Sequence, residues 1–333
     1  MRSRRKFIHQ LGTGVAAIMA APMLSVYSCN SAGKSEKTAE TKESSPELFF
    51  KISLAEWSLY RALFSRQLDH LDFPLHAKQK FGIDAVEYVN QFFMDKAKDR
   101  VYLGELKKRC DDHGITSVLI MCDLEGDLGD ADKNNRQAAV ENHYKWVEAA
   151  KFLGCHAIRV NAAGEGGPKE TGRYVVESLT RLAAFASDFG ISVIVENHGG
   201  YSSDGAWLSG IMKQIALPNC GTLPDVGNFC IKRNLPTEST VEAYLTTECL
   251  DEYDRYKGLK ELMPFAKGVS AKTYDFDEQD NETTIDYRRV LNEVHDAKFS
   301  GYIGIEYEGH RLPADEGILK TKALLERIGR ELT

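Results

Sequence analysis

The sequence contains no G-x-G-x-x-G turn, no C-x-x-C pair and no surplus of basic residues, and each absence removes a class of function. Without the glycine turn there is no ready backbone cradle for a dinucleotide or a sugar phosphate. Without closely paired cysteines there is no zinc ribbon or dithiol redox centre. With 42 Lys and Arg against 49 Asp and Glu, a net charge of −7, the chain lacks the basic surface that holds a polyanion, so nucleic acid is not an expected partner. Cys110, Cys122, Cys155, Cys220, Cys230 and Cys249 are scattered, mostly beside apolar neighbours. They read as buried thiols, although an exported chain is free to form disulfides. What is present is ordinary globular material, 43% hydrophobic and 27% charged over 333 residues, which is enough for a large core.

The first residues do not read as part of a fold. Ser3-Arg4-Arg5-Lys6-Phe7-Ile8 is a twin-arginine pattern followed by a weakly apolar stretch over 11–26, which predicts an export signal over residues 1–29. The stretch is shorter than the roughly 20 residues of a bilayer span and is interrupted by Gly12, Gly14 and Pro22. Cys29 follows Leu24-Ser25-Val26-Tyr27-Ser28, a loose lipoprotein box, and a lipid there would tether the protein to a membrane face. Residues 30–47 hold almost nothing large and apolar and read as a flexible linker. The expectation is an exported protein, periplasmic or held at the membrane as a lipoprotein, with one folded domain over 48–333.

From residue 49 onward, short β-prone apolar runs alternate with longer segments of helical period. The runs fall at 50–54, 85–89, 117–122, 157–161, 192–196, 221–226, 268–272 and 302–307. Amphipathic segments such as 136–152 and 174–188 lie between them, and Gly82, Gly114, Gly154 and Gly190 stand where a helix stops in a left-handed cap. Eight such units in one chain predict an α/β fold, a single-domain (β/α)8 TIM barrel. The connection over 228–260 is long and predicts extra loop and helix over the barrel mouth.

Active sites of such barrels lie at the C-terminal strand ends, so ionisable residues there carry the most information. Strand four ends in Arg159 and Asn161, strand five in Glu196 followed by His198, strand six in Asp225, and strand eight in Glu306 followed by Glu308. Side chains two apart share a face, which pairs Arg159 with Asn161, Glu196 with His198, Ser270 with Lys272 and Glu306 with Glu308. Carboxylates converging on one mouth are costly to bury, and a divalent cation is the simplest remedy. The alternative makes each of them an ion-pair partner of Arg159 or Lys272. Glu87 and Asn90 on strand two are further candidates for the mouth, Trp57 after strand one is either a platform for a sugar ring or core, and His143 reads as structural.

At these residues the sequence resembles the xylose-isomerase-like sugar isomerases and epimerases, TIM barrels that include ketose 3-epimerases and inosose-processing enzymes. The carriers are Ile194-Val195-Glu196-Asn197-His198-Gly199-Gly200, Leu223-Pro224-Asp225-Val226-Gly227-Asn228, Val269-Ser270-Ala271-Lys272 and Gly304-Ile305-Glu306-Tyr307-Glu308-Gly309. The resemblance implies a divalent metal on Glu196, Asp225 and Glu306. Relatives place a histidine on strand seven where this chain has Ser270, leaving His198 as an alternative ligand. An oxygen-rich set favours Mn or Mg, with Co or Zn as alternatives.

By the same resemblance Glu196 and Glu306 remove and return a proton beside a carbonyl, and Lys272 stabilises the enediolate or acts as a base. Arg159, Asn161, His198, Glu87, Trp57 and Glu308 are the expected substrate contacts. The leading expectation is a metal-dependent sugar isomerase or epimerase acting on a small carbohydrate. The second is a lyase or hydrolase that opens 3-keto-glycosides by β-elimination, and the third is a carbohydrate-binding protein without catalysis.

Overall fold

The structure, a computed structural model, describes residues 47–236, 238, 243 and 246–333. The expected signal, Cys29 and nearly all of the linker lie outside the described residues.

Eight strands form one parallel sheet: β1 (Lys51–Ala55), β2 (Ala85–Val89), β3 (Thr116–Met121), β4 (Ala157–Asn161), β5 (Ser192–Glu196), β6 (Cys220–Leu223), β9 (Val269–Thr273) and β10 (Tyr302–Tyr307), in the order β6-β5-β4-β3-β2-β1-β10-β9. The two edges meet through isolated parallel bridges, Thr222 to Ala266 and Asp225 to Ser270. Pro224 has no N–H to donate, so regular β6 stops at Leu223, earlier than the expected 226, and closure depends on single bonds such as Ser270 N–H to the Pro224 carbonyl at 2.9 Å. The result is a nearly closed (β/α)8 barrel.

Strand alternation sorts the side chains into two layers. In β5, Val193 and Val195 join the large core beneath the helices, whereas Ile194 belongs to the small core inside the barrel. Glu196 continues the inner face one step further along. The same count places Ala157, Arg159 and Asn161 inward on β4, Ser270 and Lys272 on β9, and Gly304 and Glu306 on β10, because Ile158, Val160, Val269, Ala271, Ile303, Ile305 and Tyr307 all pack outward. The barrel floor is therefore apolar and its C-terminal end polar and ionisable.

The helices follow the sequence closely. Lys133–Leu153 is capped by the Asp132 carboxylate and ends on Gly154 at φ +87°, and Phe73–Phe81 and Arg100–His113 end on Gly82 and Gly114, both left-handed. Gly190 also has positive φ, two residues beyond the end of Pro168–Ser187 at Asp188.

The long connection carries an antiparallel hairpin, β7 (Cys230–Arg233) with β8 (Cys249–Glu252), and the helix Arg255–Leu262. One expectation is corrected here: Cys230 and Cys249 are joined in a disulfide. Their separation of 19 residues carries no recognisable motif, and only the hairpin brings their Cα atoms to 5.8 Å. Cys110, Cys122 and Cys155 are buried free thiols, as expected, and Cys220 is half-buried.

Candidate active site

Register brings the ionisable residues together. Lys272 is the direct β-neighbour of Glu306, Asn161 of Glu196, and Ser270 bridges to Asp225. The Lys272 ammonium lies 2.7 Å from Glu306 Oε1, 3.1 Å from Glu308 Oε1 and 3.4 Å from Asp225 Oδ2. Ser270 Oγ donates to Asp225 Oδ2 at 2.7 Å and is 3.2 Å from Glu306 Oε2.

A second cluster forms around Arg159. Its Nη1 donates to Asp123 Oδ1 at 2.6 Å and to Asn161 Oδ1 at 3.2 Å, and Asn161 Nδ2 donates to the same Asp123 oxygen at 2.8 Å. Arg159 Nε and Glu196 Oε2 stand 2.8 Å apart, with the N–H not directed at the oxygen. Asn228 Nδ2 donates to Glu196 Oε1 at 2.9 Å, and the Asn197 amide ties the strand-five and strand-six loops together through the Asp225 backbone.

Above both clusters opens a cavity of about 880 Å³, lined among others by Trp57, Asp123, Arg159, Asn161, His198, Lys272, Glu306 and Glu308. Residues of the disulfide-closed hairpin, Cys230, Ile231 and Arg233, form part of its wall. Glu196 and Asp225 do not line it; both are buried, Glu196 beside Arg159 and Asp225 beside Lys272 and Ser270. Trp57 stacks on Tyr60 at a ring separation of 5.0 Å and donates its indole N–H to Glu308 Oε1 at 2.7 Å, which fixes it in the wall.

Charge is distributed unevenly. Burial raises the Glu306 carboxyl, but the Lys272 ammonium beside it more than offsets this and leaves it below the ordinary carboxylate value. Asp123 is likewise held well below its usual range despite burial, by the Arg159 guanidinium. Burial pushes Glu196 up to about 7, with Arg159 only partly offsetting it, and pushes Asp225 up to about 7 despite Lys272. Burial together with the Arg159 charge lowers His198, so its ring is neutral at physiological pH.

Two sequence-level assignments change. Glu87 was expected among the substrate contacts, yet it is 1% exposed inside the barrel and does not line the cavity. Ser53 Oγ donates to its Oε1 at 2.6 Å, and burial raises its carboxyl to about 8. Asn90 is also buried, its side chain donating to the Asp123 carbonyl at 2.8 Å. Asp123 is the residue that sequence reasoning passed over. It stands two positions beyond the end of β3, a signal of the same kind that singled out Asp225 beyond β6.

A family model described as Xylose isomerase-like TIM barrel matches residues 75–328. The chain belongs to this family. Solved structures with the same fold include a sugar phosphate isomerase/epimerase from Parabacteroides distasonis, at 17% identity over 85% of this chain and 96% of its own, TM-score 0.61. A 3-keto-D-glucoside 4-epimerase from E. coli aligns at 13% identity over 84% of this chain and 100% of its own, TM-score 0.58. The IOLI protein, solved with a binding zinc atom, aligns at 16% identity over 85% and 99%, TM-score 0.63. No curated protein sequence matches the chain.

The divalent metal that xylose isomerase-like relatives suggest can be tested against these side chains. Ser270 supplies only a neutral hydroxyl, a weak ligand, whose O–H is directed at Asp225 Oδ2 at 2.7 Å. Lys272 Nζ occupies the space between Glu306, Glu308 and Asp225, and Glu196 faces Arg159. Among the described residues, no group of three His, Cys, Asp or Glu side chains is arranged to hold a metal ion. The donor set does not fit the metal centre expected from the sequence. Burial raises the carboxyls of Glu87, Glu196 and Asp225, so partial protonation relieves some of the negative surplus.

Proposed function

We propose that the chain is a sugar isomerase or epimerase that moves a proton beside a carbonyl. The observation that carries this reading is the Glu306 carboxylate 2.7 Å from the Lys272 ammonium, both on the cavity wall at the C-terminal end of the barrel. A carboxylate kept ionised by a neighbouring ammonium is free to accept a proton at neutral pH, as a weaker base than an isolated carboxylate, and the ammonium is a fixed charge for an oxygen that becomes negative as the proton leaves. Asp123, Arg159, Asn161 and His198 supply hydrogen-bonding groups for hydroxyls on the facing wall, and Trp57 and Glu308 flank them. Glu196 was expected to share the proton transfer with Glu306. Its place beside Arg159, off the cavity wall, supports a positioning role.

A second reading is the opening of 3-keto-glycosides by β-elimination, which begins with the same proton abstraction. The cavity favours it: about 880 Å³ is at the upper end of the roughly 300–1,000 Å³ of small-molecule pockets and admits more than one sugar ring. The deciding experiment incubates the protein in deuterium oxide with a panel of ketoses and 3-keto-glycosides and follows both exchange and released aglycone by NMR. Exchange without release supports the isomerase or epimerase, and release supports the lyase or hydrolase. Binding with neither, in a protein whose Glu306→Gln variant binds equally well, would leave a carbohydrate-binding protein.

We further propose that the protein is exported, as the twin-arginine pattern suggests, with Cys29 as a lipid attachment point. The Cys230–Cys249 disulfide is compatible with an oxidising compartment. Such a location disfavours sugar phosphates as substrates. Fractionation of cells and mass analysis of the mature N-terminus test this directly.

A further inference from the structure

The lysine at the base of the cavity is held more firmly than a surface charge needs to be. Lys272 is 2% exposed, and its stem runs beside Gly227, where an added Cβ would come within 2.4 Å of Lys272 Cγ. Its ammonium has three N–H groups, and three carboxylates surround it, those of Glu306, Glu308 and Asp225. Asp225, the most distant of them, has its Oδ2 also bonded by the Ser270 hydroxyl. Glu308 is in turn fixed by the Trp57 indole, and Glu306 by β-register opposite Lys272. Every contact points the same way: the positive charge of this site is built into the chain.

We propose that this protein works without a divalent cation, with the Lys272 ammonium and the Ser270 hydroxyl together taking the place and the electrostatic task of a metal. A cation coordinated by carboxylates needs oxygen contacts of about 2.0–2.6 Å and would have to share the Asp225 and Glu306 oxygens with an ammonium already in hydrogen-bond contact. The catalytic half of the proposal rests on the isomerase or epimerase reading. In the reaction the substrate C–H bond breaks, its proton passes to a Glu306 oxygen, and the electron pair moves onto the carbonyl oxygen facing Lys272. Return of the proton to the neighbouring carbon, as the hydroxyl proton passes between the two oxygens, or protonation of the other face of the same carbon by solvent water that in turn takes the proton from Glu306, regenerates the carboxylate, and the Lys272 ammonium keeps its charge throughout. No oxidant, reductant or co-reactant is consumed.

The test uses the purified mature protein. Elemental analysis after dialysis against chelator, and thermal-shift titration with Mg, Mn, Co and Zn ions singly, read metal binding without reference to activity. The expected result is less than 0.1 equivalent of any metal, as an order-of-magnitude limit, and no rise in Tm. About one equivalent of a metal, or a chelator-reversible rise in Tm, would overturn the proposal. As a positive control, Ser270→His combined with Lys272→Met removes the ammonium and adds an imidazole beside Asp225 and Glu306, and it should acquire a Tm response to Mn or Zn ions. If that variant does not fold, the wild-type measurement still decides.

Deuterium exchange into a turned-over sugar, measured with chelator present, addresses the catalytic half separately. It should persist in wild type and fall at least about 100-fold in Lys272→Met. Exchange that requires an added ion sinks the proposal. A metal-free protein with no exchange on any sugar removes the isomerase reading and the catalytic role of Lys272, while leaving the replacement of the metal in place.

Discussion

At the scale of the residue, the two strand-end glutamates differ in what they touch. Glu306 lies on the cavity wall with its carboxyl held down by Lys272, whereas Glu196 is buried beside Arg159 with its carboxyl raised to about 7. Glu306→Gln should therefore lower proton exchange by about 1,000-fold, and Glu196→Gln by about tenfold, through a loosened Arg159. The rate profiles separate the roles more sharply. With Glu306 as base, exchange rises only on the acid side, because its carboxyl ionises below the ordinary value, and the rate is flat between about pH 6 and 8. A rising limb near pH 7 that disappears in Glu196→Gln would make Glu196 the base instead. At the same scale, Gly304 leaves room for Glu87: a Cβ there would come within 2.6 Å of both carboxylate oxygens. Gly304→Ala is expected to destabilise the fold by about 2 kcal/mol, measured by denaturant unfolding, since Glu87 is enclosed by the barrel and has nowhere to retreat. A variant as stable as wild type would show that the Glu87 pocket can relax.

At the scale of the element, most of the architecture was legible. Alternation of short apolar runs with amphipathic segments is a local signal, and the strands at 85–89, 157–161, 192–196 and 302–307 coincide with β2, β4, β5 and β10. Inward pairing of Arg159 with Asn161 and of Ser270 with Lys272 followed from period two alone. Contacts that depend on register between distant strands were not legible. Nothing near Lys272 in the chain says that its ammonium meets Glu306 and Glu308, so the sequence favoured a metal over an ion pair as the remedy for the same carboxylates. Glu87 illustrates a second limit: the register shift between Val86 and Glu87 and the fully buried surroundings of β2 are tertiary facts. The hairpin is a third, because a disulfide between Cys230 and Cys249 needs β7 and β8 to pair first. That element should be held by its crosslink. Cys230→Ser combined with Cys249→Ser should cost roughly 2–4 kcal/mol of stability and raise KM more than it lowers kcat, since the hairpin walls the cavity. Equal unfolding midpoints for the oxidised protein and the double variant would show that the crosslink does not stabilise the fold.

At the scale of the whole molecule, the barrel interior holds acids in two opposed states, and the balance sets how stability responds to pH. Glu87, Glu196 and Asp225 have carboxyls raised by burial to about 8, 7 and 7. For each of them the unfolded chain releases its proton first as pH rises. The stabilisation is complete below the unfolded value of about 4 and is lost as pH climbs through the folded value. Glu306 and Asp123 are lowered, so their contribution is present above the unfolded value and disappears on acidification. The two sets together place maximal stability in mildly acidic solution, at about pH 5, with Tm declining toward pH 8. Glu87→Gln isolates the largest of the raised groups, because an amide keeps an acceptor for the Ser53 hydroxyl and has no proton to lose. Its Tm should exceed that of wild type at pH 8 and approach it at pH 5, a difference on the order of a few kcal/mol at the alkaline end. If wild type and variant fall in parallel across that range, Glu87 is ionised at no cost, and the barrel interior is better solvated than its packing implies.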